Sequence, residues 1–82
     1  MKAGIYSLVK DRIIELCEKK HMTINKLATE SGLSPSSLKS ILYGKSMNPG
    51  VVTIKIICDG FGISITEFFN TDKFRNAEQE IQ

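Results

Sequence analysis

At 82 residues the chain has room for one small domain, and its 41% hydrophobic content suits a single core rather than a deep cleft. No apolar run approaches the ~20 residues that cross a bilayer. The N-terminus reaches Lys10 and Asp11 before any apolar signal core develops, so a cytoplasmic protein without a membrane partner is expected. A net charge of +2 does not by itself announce a polyanionic partner, but its distribution is informative. Residues 1–58 carry nine Lys/Arg against four acids, whereas residues 59–82 carry two against five.

Ile5, Val9, Ile13, Leu16 and Cys17 recur at helical spacing and predict a first helix from Ile5 or Ser7 to Lys20. Asp11, Glu15 and Glu18 fall on its outer face near Arg12 and Lys19 and read as solvated charge rather than an acid–base pair. Cys17, like Cys58 further on, lies on an apolar face with no C-x-x-C or His-rich spacing, which predicts buried free thiols and no metal site. His21 follows the helix end, where a cation is favourable without any catalytic role.

Thr23 is placed to cap a second helix, Ile24–Ser31, that buries Leu27 and Ala28; the small Ala28 permits close approach of the next helix. Gly32 suits the left-handed position that ends it. Ser34 and Pro35 then supply an N-cap and a first-turn proline for a third helix, Pro35–Tyr43, stopping at Gly44. Two helices joined by so short a glycine turn cross steeply, and that geometry is the helix-turn-helix, whose second helix enters a DNA major groove.

Residues 45–50 read as a loop through Asn48, Pro49 and Gly50. A fourth helix, Val51–Phe61, buries Ile54, Ile57, Cys58 and Phe61 and ends at Gly62. Its β-branched residues would also suit a strand, but no second strand of comparable length exists to pair with it. Ser64 and Glu67 form an S-x-x-E capping box for a short fifth helix holding Phe68 and Phe69. The polar residues 70–82 space Phe74, Ala77 and Ile81 along one side of a possible short helix, and both helix and disorder remain open there. The expected organisation is an all-α domain over residues 1–69 with a tail or short helix over 70–82.

Around the third helix, at about 100° per residue, Leu38, Ile41 and Leu42 form one apolar arc. Lys39, Tyr43, Ser36 and Ser40 fall roughly opposite, a polar side slim enough for a groove about 12 Å wide. Further matching positions are Arg12, Ile13 and Leu16; Thr23, Leu27, Ala28, Gly32, Ser34, Leu38 and Ile41; Gly44, Lys45, Asn48 and Pro49; and Thr53, Ile54, Ile57, Cys58, Gly62, Ile63, Ser64 and Phe68. In this order and spacing the chain, from about Ile5 to Phe69, resembles the lambda-repressor/Cro-like (XRE-type) helix-turn-helix DNA-binding family.

The resemblance implies a compact five-helix bundle in which Ser34, Pro35, Ser36 and Ser40 face base edges with Lys39 beside them. It also implies phosphate contacts from the start of the second helix, from Ser37 and from the loop that includes Tyr43, Lys45 and Asn48. Two departures stand out. Ile24 occupies the position where relatives commonly carry a phosphate-holding glutamine, and the reading face lacks Arg, Gln and Asn, the side chains of bidentate base contacts. Selectivity is then expected to lean on Lys39, Asn48, bridging water and DNA shape.

The expected function is a sequence-specific DNA-binding transcriptional regulator, a repressor acting as a homodimer on a two-fold symmetric operator. Phe68, Phe69, Phe74 and Ile81 are the candidate dimer residues. The alternative is a protein-binding module on the same fold, an antitoxin or anti-repressor partner with weak or no DNA binding. The lone histidine, the absence of a Ser/Cys–His pairing and the absence of a Gly-rich phosphate loop argue against an enzyme. No cofactor, metal or small-molecule ligand is expected.

Overall fold

Repeated helix ends organise this chain. The computed structural model describes residues 5–43 and 49–76. Within them the helices are α1 (Ile5–Lys19), α2 (Ile24–Ser31), α3 (Pro35–Tyr43), α4 (Val51–Phe61), α5 (Ile65–Phe69) and α6 (Asp72–Arg75), with no strand among the described residues. The expected bounds of α2, α3 and α4 coincide with those observed, and α1 ends at Lys19, one residue earlier than its apolar spacing suggested.

Three of the helices stop in the same way. In α2 the left-handed Gly32 (φ 76°) lets its own amide reach Thr29 O and the Leu33 amide reach Ala28 O. In α4, Gly62 (φ 76°) pairs with Asp59 O and the Ile63 amide with Cys58 O. The end of α1 repeats the arrangement with His21 (φ 53°): its amide bonds Glu18 O and the Met22 amide bonds Cys17 O. These paired bonds satisfy carbonyls that the last turn leaves without partners, and the apolar residue that follows folds back onto the core. Ile63 is buried, and Met22 and Leu33 pack against the buried cluster.

That cluster draws Val9, Ile13 and Leu16 from α1, Leu27 and Ala28 from α2, and Leu38, Ile41 and Leu42 from α3; α4 and α5 close it with Ile54, Ile57, Phe61 and Phe68. Ala28 is fully buried, as close approach at the helix-turn-helix demands. A tighter approach joins α2 to α4. A Cβ on Gly60 would stand 2.1 Å from Ser31 Oγ and 3.1 Å from the Ser31 backbone nitrogen, so any side chain there requires Ser31 to shift. Cys17 and Cys58 are buried free thiols, and burial pushes both above the usual thiol range.

One charge does not behave as the α1 pattern suggests. Arg12 is buried, with Nε donating to Phe68 O (2.8 Å), Nη2 to Glu67 O (2.9 Å) and Nη1 to Glu15 (2.8 Å). The guanidinium thus closes the C-terminal end of α5, where carbonyls lack helical partners and a cation is favourable. Glu15 remains half exposed, and its hydrogen bond to Arg12 holds its carboxyl below the usual glutamate range. The solvated reading therefore holds for Glu15, while the Arg12 beside it is buried.

Ser64 caps α5 by accepting from the Glu67 amide at 3.0 Å. Beyond it the chain forms the short α6, and Phe74 packs edge-on to Phe69 with ring centroids 4.8 Å apart. Phe68 is fully buried, so it closes the core and is not available to a second chain. Ala77 and Ile81 lie outside the described residues.

Candidate nucleic-acid interface

The α3 helix is set up from its first residue. Ser34 Oγ accepts from the Ser37 amide at 3.1 Å, and the two hydroxyls share a hydrogen bond of 2.9 Å. Pro35 takes the next position, where no amide donor is needed. On the inner side Leu38, Ile41 and Leu42 are buried; on the outer side Ser34, Pro35, Ser36, Ser37, Lys39, Ser40 and Tyr43 are all exposed. The structure thus brings these seven expected site residues onto one solvent-facing surface. The remaining two, Lys45 and Asn48, lie outside the described residues.

Their chemistry differs across that surface. Ser34 and Ser37 spend their hydroxyls on capping the helix. Ser36, Lys39, Ser40 and Tyr43 make no hydrogen bond or ion pair among the described residues. Lys26 and Lys55, by contrast, are tied to Glu30 and Asp59 on their own helices. Lys39 is therefore a cation whose charge is open to an incoming group.

Both flanks of α3 extend the surface. On one, Ser36, Ser37 and Ser40 share a shallow groove with Thr53 of α4, a neighbour that helical spacing within α3 could not reveal. The α4 start beside it has Gly50 as N-cap with no side-chain hydrogen bond, and Val51 and Val52 stand 68% and 69% exposed. On the other flank Tyr43 borders a hollow with His21, Thr23 and Ile24. Thr23 accepts from the Lys26 amide at 3.0 Å, so the α2 start is capped. Ile24 is half-buried and packs against the core, an apolar anchor in place of a polar one. The last turn of α3 is held from α1, where Tyr6 Oη donates to Ile41 O at 2.7 Å.

No group of three or more His, Cys, Asp or Glu side chains among the described residues is placed to hold a metal. No helix of the described chain is long and apolar enough to cross a membrane. Among the described residues, this surface offers on a slim helix hydroxyls and one free cation, which are groups that donate to phosphate oxygens and base edges.

Comparison with known proteins agrees with this geometry. A family model for the Cro/C1-type HTH DNA-binding domain matches residues 12–73. The HTH-type transcriptional regulator SlrR of Bacillus subtilis (strain 168) is 40% identical over 75 residues, covering 84% of this chain and 49% of SlrR, so the chain spans about half of that relative. Among solved structures, the prophage Lp1 protein 11 superposes with a TM-score of 0.78 at 31% identity, over 94% of this chain and 100% of that one. The matched family is one of DNA-binding domains and not of enzymes. With its model matching most of the chain, and with the helix-turn-helix in place, this protein belongs to the Cro/C1-type helix-turn-helix DNA-binding domain family.

Proposed function

We propose that this chain is a sequence-specific DNA-binding regulator of transcription, a repressor that acts as a homodimer on a two-fold symmetric operator. The observation that carries the reading is the α3 surface: Ser36, Lys39 and Ser40 are exposed and without partners among the described residues, on a helix whose opposite side is anchored in the core. In this reading Lys39 meets guanine N7/O6 or a phosphate, and Ser36 and Ser40 meet base edges directly or through water. Ser34 and Pro35 bring the helix start to the groove, while Ser37, Tyr43, Lys45 and Asn48 meet the sugar-phosphate chain. One such helix covers only a few base pairs, so a two-fold pair with helices ~34 Å apart supplies the remaining affinity.

Selection of bound sequences from a random duplex pool tests both halves of the proposal, with a two-fold symmetric consensus as the expected result. Lys39→Ala should weaken binding to the selected duplex by about tenfold and leave the unfolding free energy within about 0.5 kcal/mol. An unchanged affinity and base preference would remove Lys39 from the interface.

A second reading, a protein-binding module with little DNA affinity, draws on Ile24, which offers no polar group to a phosphate at the start of α2. Salt separates the two. Duplex binding that falls steeply as salt rises reflects counterion release and supports the regulator, whereas no such binding supports the module.

A further inference from the structure

The reading side chains on α3 are short. A serine hydroxyl turns about a single bond and cannot stretch to follow a displaced base, whereas hydrogen bonds tolerate only a few tenths of an ångström. Selectivity from Ser36 and Ser40 therefore depends on how firmly the helix itself is held. Its apolar arc, Leu38, Ile41 and Leu42, sets which side faces inward, but apolar contact is non-directional. A tilt of about 5° about one end moves the other end of this helix by about 1 Å, since its residues rise 1.5 Å each.

Among the described residues, one side-chain hydrogen bond joins α3 to another helix. Tyr6 Oη, on the first turns of α1, donates to Ile41 O at 2.7 Å. Ile41 belongs to the last turn of α3, where carbonyls lack a helical amide partner, so the phenol meets an acceptor that the helix leaves open. Tyr6 is half-buried. The bond joins groups 35 residues apart in sequence and fixes the C-terminal end of α3 directionally, with Ser40 next to it and Ser36 one turn earlier.

We infer that Tyr6 is a positioning residue for DNA reading, setting the tilt of α3 in the groove through its hydrogen bond to the Ile41 carbonyl without touching DNA. The inference rests on the DNA-binding reading above. It places a determinant of base preference on α1, outside the helix-turn-helix.

Tyr6→Phe tests it, because the ring stays and only the hydroxyl is lost. The probes are the duplex selected by the unaltered chain and a scrambled duplex of the same composition, titrated at one salt concentration. The preference for the selected over the scrambled duplex should fall by about threefold to tenfold, the scale of one hydrogen bond, with binding to the scrambled duplex little changed. Ile63→Val, a core trim in the turn between α4 and α5, should lower stability comparably and leave the preference intact.

Equal weakening on both duplexes would mean that the phenol meets phosphate itself and would overturn the inference. So would an unchanged preference, or the same loss of preference in Ile63→Val. Failure of the unaltered chain to bind any duplex in a salt-dependent way would instead sink the DNA-binding reading, and this inference with it.

Discussion

The α1–α5 corner and the outer face of α3 use polar groups in opposite ways. At the corner a charged side chain is buried, and its donors go to two carbonyls and a carboxylate of the same chain. On α3 the hydroxyls of Ser36 and Ser40 and the ammonium of Lys39 are exposed and have no partner among the described residues. The contrast teaches that polar groups satisfied within the fold contribute to stability, whereas those left open are available to a ligand. Substitutions at the two places should therefore separate into losses of stability and losses of affinity.

The largest effect is expected from Arg12→Met, which keeps the apolar stem but leaves the Glu67 and Phe68 carbonyls without their donor. Losing a buried, charge-assisted network of this kind costs about 2–4 kcal/mol, a large share of the stability of a small domain. Urea unfolding should show it as a lower midpoint. Lysine is a poor substitute, because a single ammonium cannot span two carbonyls and Glu15 as the planar fork does. Below the unfolding transition the Arg12→Met chain should still bind the selected duplex with undiminished affinity. A parallel loss of affinity would break the separation between corner and reading face.

The α2–α4 contact offers a smaller and more local test on the scaffold side. In Gly60→Ala the new methyl meets Ser31 Oγ at 2.1 Å and the Ser31 backbone nitrogen at 3.1 Å, so the hydroxyl must swing aside and the helices ease apart slightly, at a cost of about 1–3 kcal/mol offset in part by the better helix propensity of alanine. Ser31 Oγ is itself buried without a hydrogen-bond partner among the described residues. Ser31→Ala alone should therefore raise stability by about 1 kcal/mol. The double variant should be more stable than the two single effects predict, because the closest clash is gone. Thermal melts of the four chains measure this coupling, and strict additivity would show that the two residues do not meet.

Legibility in the sequence follows the range of each interaction. The α2 and α3 starts, the glycine stops and the buried arc of α3 depend on residues within a turn or two of one another, so spacing alone reveals Thr23, Gly32, Ser34 and Leu38. Arg12 and Tyr6 take carbonyls 56 and 35 residues away, and no local pattern marks a backbone acceptor. Gly60 looks like a poor helix residue until α2 is laid against it. Phe74 shows the middle case. Its spacing suggests a helix side, while the contact with Phe69 that makes its segment fold back appears only in three dimensions. On α3 the exposure of the seven described candidate residues was legible because they are neighbours on one helix or its cap, whereas Thr53 enters the groove from another helix.

His21 separates a shared helix-ending mechanism from its usual residue. The ends of α1, α2 and α4 make the same pair of hydrogen bonds, yet α1 does so with a side chain at φ 53° where the others have glycine. A left-handed backbone costs an L-residue roughly 1–2 kcal/mol, although histidine tolerates it better than branched residues do. Glycine removes that strain but loses more freedom on folding. The imidazole is exposed, so its removal costs little contact area. His21→Gly should therefore stabilise the fold by about 0.5–1 kcal/mol, read as a raised urea midpoint with an unchanged slope. Because His21 borders the same hollow as Tyr43, duplex affinity sharpens the result. If the chain gains stability and keeps its affinity, His21 belongs to the scaffold. A loss of affinity despite that gain would place the end of α1 on the reading side of the molecule.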